Sequence, residues 1–167
     1  MEIKEEFTKV IKGNEGLIYK ITTLYTNGKQ DRKDLYQEIV YQLWKSFGSF
    51  NEKSKLSTWM YRVALNTAIF HLKQSKKRPD TIPFELEMDR LGEEGDKAEE
   101  EKIKILYEHI QQLNLLEKGI ILLFLEGKSH EEIAEIVGIS ISNVGTKISR
   151  IKEKLKSQIK KNTDYGT

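Results

Sequence analysis

Residues 129–156, SHEEIAEIVGISISNVGTKISRIKEKLK, leave this chain little choice of local fold. Ser129, with Glu132 three residues on, makes a capping box at a helix start. Ile133, Ala134 and Val137 give that helix an apolar side. Gly138 supplies the positive φ of a sharp helix end, and Ile139 follows as the plug between two helices. Ser140 caps the second helix. On it Val144, Ile148, Ile151, Leu155 and Ile159 share one stripe at helical spacing. The pattern predicts a helix-turn-helix.

The other face of the second helix begins with Ser142, Asn143, Thr146, Ser149 and Arg150. Such groups near a helix start reach base edges in a major groove. Lys147, Lys152, Lys154, Lys156, Lys160 and Lys161 lie around and after them, suited to phosphates. The plainer reading of the same residues is an αα-hairpin with a solvated basic end.

With 167 residues the chain holds one domain or two small ones. Charged residues reach 32% against 38% hydrophobic, a balance that suits thin helical cores. The net charge of +2 hides an asymmetry. From Glu85 to Glu101 nine acids face only Arg90 and Lys97, while from Val144 to Lys161 seven bases face only Glu153. Different segments are therefore expected to meet different partners. Cysteine is absent, which excludes disulfides and thiolate metal sites and fits a reducing cytosol. The opening MEIKEEFTKVIK lacks the apolar core of a signal peptide, and the run Ile120 to Leu125 is too short to span a bilayer.

Both prolines, Pro79 and Pro83, lie in one charged stretch with Gly92 and Gly95. That is a linker signature. It divides the chain into an N-terminal helical domain, 1–76, a linker, 77–98, a C-terminal domain, 99–161, and a tail, 162–167. No alternation of apolar and polar residues is sustained, so no sheet is expected. The fold class is all-α: two small helical domains joined by a flexible acidic linker, the second a four-helix domain with the helix-turn-helix.

A first helix is predicted from Ile3 to Tyr25, with Ile3, Phe7, Val10, Leu17, Ile21 and Leu24 inward and Gly13 and Gly16 as points of breakage. A second runs from Asp31 to Phe47. It buries Leu35, Ile39, Val40, Leu43 and Phe47, and presents Asp34, Gln37, Glu38 and Tyr41 with Trp44 at the edge. A third, capped by Ser57 or Thr58, extends to about Lys76. Leu56, Trp59, Met60, Val63, Thr67 and Phe70 make one apolar side, and Leu65, Ile69 and Leu72 another. Between them Arg62, Asn66 and Lys73 line up beside Trp59. That strip suits stacking on unpaired bases, and equally a solvated face with Trp59 in the core. In the C-terminal part, Ala98 to Leu113 forms a helix with Ile103, Leu106, Tyr107 and Ile110 inward, and 115–126 forms a very apolar one ended by Gly127.

Two runs carry a resemblance. DLYQEIVYQLWKSFGSFNEKSKLSTWMYRVALNTAIFHLK resembles the first conserved domain of bacterial RNA polymerase sigma factors of the extracytoplasmic-function group. LEGKSHEEIAEIVGISISNVGTKISRIKEKLK is similar to their second domain. The likeness covers about residues 15–78 and 103–157. It implies a factor that binds core RNA polymerase, directs it to promoters and helps melt the −10 element. Asp34, Leu35, Gln37, Glu38, Tyr41 and Trp44 would dock on the clamp helices of the largest polymerase subunit. Phe50, Lys55, Trp59, Arg62, Asn66 and Lys73 would read the melted −10 strand. Ser142, Asn143, Thr146, Lys147, Ser149, Arg150 and Lys154 would read the −35 duplex. The linker resembles the segment that threads toward the RNA exit path. The resemblance also implies an anti-sigma partner, a cytoplasmic place of action, and neither cofactor, metal nor membrane insertion. Two positions depart from the pattern: Asn114 stands where a proline is common, and Gly119 where a helix former is expected.

Other classes fit less well. A transcription regulator with an N-terminal sensor or dimerisation domain explains residues 129–156 but not the Arg62/Asn66/Lys73 strip or the Asp34/Glu38 face. An anti-sigma or other interaction protein sits badly with two strips suited to nucleic acid. An enzyme is disfavoured, since His71, His109 and His130 are far apart and no HExxH, P-loop or GxSxG occurs. Glu99, Glu100 and Glu101 point in different directions on a helix, and their place near its positive dipole end suits a solvated helix start better than a cation site.

Overall fold

The computed structural model describes residues 2–50, 53–75 and 97–165. Among them are eight helices and no strand: α1 (Glu2–Gly13), α2 (Glu15–Tyr25), α3 (Lys29–Phe47), α4 (Leu56–Ser75), α5 (Lys97–Ile110), α6 (Leu115–Leu125), α7 (His130–Val137) and α8 (Ile141–Tyr165). Helices α1–α4 make one compact unit; α5, α6, α8 and the start of α7 belong to a second. The expected linker lies outside the described residues except Lys97 and Ala98, which open α5. The expected tail begins inside α8, whose backbone continues to Tyr165.

The first helix, expected from Ile3 to Tyr25 with Gly13 and Gly16 as points of breakage, is two helices, the first ending at Gly13. The break falls at Asn14, whose side-chain amide donates to the Val10 carbonyl at 2.8 Å. A side chain that bonds the preceding turn competes with helix continuation. Beyond the break Ile18 is fully buried and Leu17 half-buried, and in the first turn of α1 Ile3, expected inward, is 52% exposed. Phe7, Ile21 and Leu24 are buried as expected. Helices α2, α3 and α4 pack on one another around Ile18, Ile21, Leu35, Ile39, Leu43 and Met60, and α1 lies against α3.

Helix α4 begins at Leu56, so Thr58 is a buried first-turn residue and not its cap. Its covered surface comprises Trp59, Met60, Tyr61, Ala64, Leu65 and Ala68. Phe70, expected on an apolar side, is 63% exposed. Small residues at 64 and 68 let α4 approach its neighbours, which shifts the contact line away from the larger side chains.

In the second unit α6 is built by local signals at both ends. Asn114, the residue that departs from the expected proline, is its cap. The Glu117 backbone N–H donates to Asn114 Oδ1 at 2.8 Å, and the Asn114 N–H donates to Glu117 Oε1 at 3.2 Å. At the far end Gly127 has φ +83°; its N–H donates to the Phe124 carbonyl and the Lys128 N–H to the Leu123 carbonyl, both at 3.0 Å. That pair of bonds is a Schellman motif. Gly119 is buried in the middle of α6, among Ile120, Ile121, Leu122 and Leu123. Lys118 is buried too, its ammonium 3.2 Å from Gln111 Oε1. Burial holds that ammonium below the ordinary lysine range. Helix α5 buries only His109 and Ile110; Ile103, Leu106 and Tyr107 are half-buried.

Candidate promoter and partner interfaces

The helix-turn-helix forms as its sequence dictates. The Glu132 N–H donates to Ser129 Oγ at 3.1 Å, and Glu132 Oε1 accepts from the Ser129 N–H at 3.5 Å. Gly138 turns the chain at φ +78°, a conformation that strains any residue with a Cβ. The Asn143 N–H donates to Ser140 Oγ at 3.2 Å, closing the cap of α8. Val144, Ile148, Ile151 and Leu155 are buried, and Ile159 half-buried. On α7 the buried set is Ile133, Ala134 and Ile136, with Val137 only half-covered.

Anchored along that stripe, α8 presents Ser142, Asn143, Thr146, Ser149 and Arg150 to solvent from its first three turns, with Lys147 half-buried beside them. The Thr146 hydroxyl donates to the Ser142 carbonyl at 3.1 Å, which fixes its rotamer. The face has five side chains that donate or accept at a helix N-terminus, where the dipole favours anions. Two bases farther along are turned toward α6. Lys154 Nζ stands 3.9 Å from Glu117 Oε1, and Lys152 Nζ lies 4.1 Å from the centre of the Phe124 ring. Lys154, expected among the duplex readers, is thus drawn to the carboxylate that also caps α6. Lys156 and Lys160 are exposed; the side chain of Lys161 lies outside the described residues.

In the first unit, α3 displays Asp34, Gln37, Glu38, Tyr41 and Trp44 on its exposed side. The Gln30 amide donates to Asp34 Oδ1 and the Gln42 amide to Glu38 Oε1, each at 3.0 Å, and Lys45 Nζ lies 5.5 Å from the Tyr41 ring centre. Trp44 is 41% exposed and rests on Phe7, centroids 5.1 Å apart. Leu35 is corrected: it is fully buried and holds α3 to the core, so it cannot meet a partner directly.

On α4, Asn66 and Lys73 are exposed and Arg62 half-buried, in the expected line. Lys55 is exposed in the preceding loop. Trp59 is corrected. Only 8% of it is exposed, and it lies among Phe50 and Phe47 with centroids 5.0 and 6.1 Å away. Phe50 therefore covers the indole, and the open residues of the strip are Asn66, Lys73 and Lys55. The sequence reading placed Phe70 on an apolar side and gave it no part in a site. It borders a groove of about 450 Å³ between α3 and α4, shared with Glu38, Gln42, Asn66, Thr67 and His71. Among the described residues no cluster of His, Asp and Glu could hold a metal ion, and no helix is long and apolar enough to cross a membrane.

Known proteins share this arrangement. The family model described as Sigma-70 region 2 matches residues 10–78, and that described as Sigma-70, region 4 matches residues 103–155. The ECF RNA polymerase sigma-E factor of Haemophilus influenzae is 29% identical over 168 residues, covering 93% of this chain and 88% of that protein. The ECF RNA polymerase sigma factor SigW of Bacillus subtilis is 29% identical over 188 residues, covering 96% and 98%. Among solved structures, the sigma factor RpoE in complex with the anti-sigma factor NepR, from Bartonella quintana, superposes with a TM-score of 0.71 at 17% identity, covering 95% of this chain and 97% of that one. CnrH in complex with the cytosolic domain of CnrY gives 0.65 at 16% identity, covering 94% and 89%.

Two helical units carrying regions 2 and 4 in that order define a bacterial RNA polymerase sigma factor of the sigma-70 class. Such a factor directs the polymerase to promoters and takes part in transcription initiation. Within that class the chain belongs to the extracytoplasmic-function group. The regulator with a sensor domain is thereby set aside, because region 2 occupies the place where such a domain would stand.

Proposed function

We propose a division of labour between the two units. The α3 face of Asp34, Gln37, Glu38, Tyr41 and Trp44 docks on the clamp helices of the largest subunit of core polymerase. The α4 strip of Arg62, Asn66 and Lys73, with Lys55 and Phe50 before it, engages the melted −10 strand. Trp59 joins it only if Phe50 moves aside. The α8 face of Ser142, Asn143, Thr146, Lys147, Ser149 and Arg150 reads the −35 duplex. The observation that carries this reading is α8. Its apolar stripe is buried over three turns while the opposite face offers Asn143, Thr146 and Arg150 from the helix start, the groups that reach base edges.

The factor acts on cytoplasmic polymerase and is held in check by an anti-sigma partner. Two structural neighbours were captured in complexes, one with an anti-sigma factor and one with the cytosolic domain of a second protein, and they support that expectation.

The test separates the units. Asp34→Arg combined with Glu38→Arg is expected to abolish binding to core polymerase in a titration, because reversed charge at an interface costs far more than at a free surface. The same protein should bind a −35 duplex like wild type. A double variant that assembles normally with core polymerase would show the α3 face to be an ordinary solvated one.

A further inference from the structure

The groove between α3 and α4 has a distinct chemical character. Its walls are Glu38, Gln42, Asn66, Thr67, Phe70 and His71. Two donors on those walls are engaged. The Gln42 amide donates to Glu38 Oε1 at 3.0 Å, and the Thr67 hydroxyl donates to the Val63 carbonyl at 2.7 Å. His71 Nε2 stands 3.6 Å from Asp31 Oδ1. The acceptors on the walls that no bond named above uses are the second Glu38 oxygen, the Gln42 amide oxygen and the Asn66 amide oxygen, and Glu38 alone among the wall residues carries a negative charge. Phe70 adds a phenyl ring that is 63% exposed, the largest exposure among the large apolar side chains of the described residues.

A carboxylate, amide oxygens and an open aromatic ring favour a planar cation rich in donors. Guanidinium fits that description: five N–H donors in a fixed fork, no acceptor, and a face that stacks on rings. An ammonium has three donors and no plane. A nucleobase would find donors in the Asn66 amide and the second Gln42 N–H, but it brings no positive charge to the Glu38 carboxylate. Its phosphate would also lie near the Glu38 charge.

We propose that this groove receives an arginine side chain from the polymerase surface that docks on α3. Its guanidinium stacks on Phe70 and donates to the Glu38 carboxylate. The inference rests on the reading that the α3 face meets core polymerase. It makes Phe70 a specificity determinant of that assembly and Asn66 the point where the protein and DNA surfaces of the first unit meet.

The experiment uses full-length Phe70→Leu, Phe70→Tyr and Asp34→Arg, each checked for unchanged far-ultraviolet circular dichroism. Core-polymerase affinity is titrated, and the assembled complexes are titrated with a single-stranded −10 oligonucleotide. Phe70→Leu keeps the apolar bulk and removes the ring; it should weaken core binding by about tenfold while oligonucleotide binding by the assembled complex is kept. Phe70→Tyr should stay within about twofold of wild type, since tyrosine offers the same π face. If Phe70→Leu binds core normally but loses the oligonucleotide, the groove holds a base and the proposal is wrong. Unchanged binding in both titrations, or equal weakening by Leu and Tyr, overturns it as well. Asp34 lies outside the groove walls, so it separates the two levels. Weakened assembly of Asp34→Arg with normal assembly of Phe70→Leu sinks the groove alone. Normal assembly of Asp34→Arg sinks the α3 reading, and the groove proposal with it.

Discussion

Asn143 and Arg150 do different work at the same helix start. Asn143 is held by its own N–H on the Ser140 cap, leaving an amide to face a base; Arg150, two turns on, brings a charged fork. Changing either to Ala should weaken binding to a −35 duplex by about 1–3 kcal/mol and relax preference at the base it meets. Electrophoretic titration over a set of single-base variants checks this; a uniform loss at every sequence would assign Arg150 to phosphate. Lys118 makes a prediction of another kind. Burial depresses its folded pKa, so between that value and the ordinary lysine range the unfolded chain binds more protons, and stability rises with pH there. At neutral pH the buried charge is a cost. Lys118→Met should therefore stabilise the protein at pH 7, by about 1 kcal/mol, and the gain should shrink once the pH climbs through that window. Thermal melts at pH 7 and pH 10 read it out, and a variant less stable at pH 7 would mean that the bond to Gln111 outweighs the desolvation.

Elements whose determinants lie within four residues of one another were legible in the sequence. The Ser129/Glu132 box, the Gly138 turn and the Ser140 cap needed only spacing and residue chemistry. The Asn114/Glu117 box obeys the same rule, yet a family habit of proline at that site drew attention away from it. Replacing Asn114 with Ala removes the bond its side chain accepts from the Glu117 N–H, while the backbone N–H still reaches Glu117, and should lower stability by about 1 kcal/mol, seen as a lower melting temperature; Asn114→Ser should largely restore it. What spacing could not supply was tertiary. An apolar residue on a helix with two apolar sides can face a neighbour or solvent, and only packing chooses. Thus Phe70 is open while Trp59 is covered by Phe50. Spacing puts Leu35 in the core while the resemblance puts it at the partner surface, and the α2·α3·α4 packing makes it core. Spacing found the inward residues on both sides of Asn14, Phe7 before it and Ile21 and Leu24 after it, but not the exposure of Ile3 in the first turn of α1.

At the scale of the whole molecule, charge distribution matters more than net charge. A near-neutral chain gathers nine acids between Glu85 and Glu101 and seven bases between Val144 and Lys161, so different segments offer opposite signs to different partners. In the proposed division of labour, contacts to core polymerase and to the promoter add their effects without requiring either to be strong alone. The most direct test is run-off transcription on a linear template, with purified core polymerase in the presence and absence of this chain. A discrete transcript that begins at one position, and arises only when the chain is added, is the predicted result. Equal products with and without it, or a chain that binds the template yet never comigrates with core polymerase, would contradict the account.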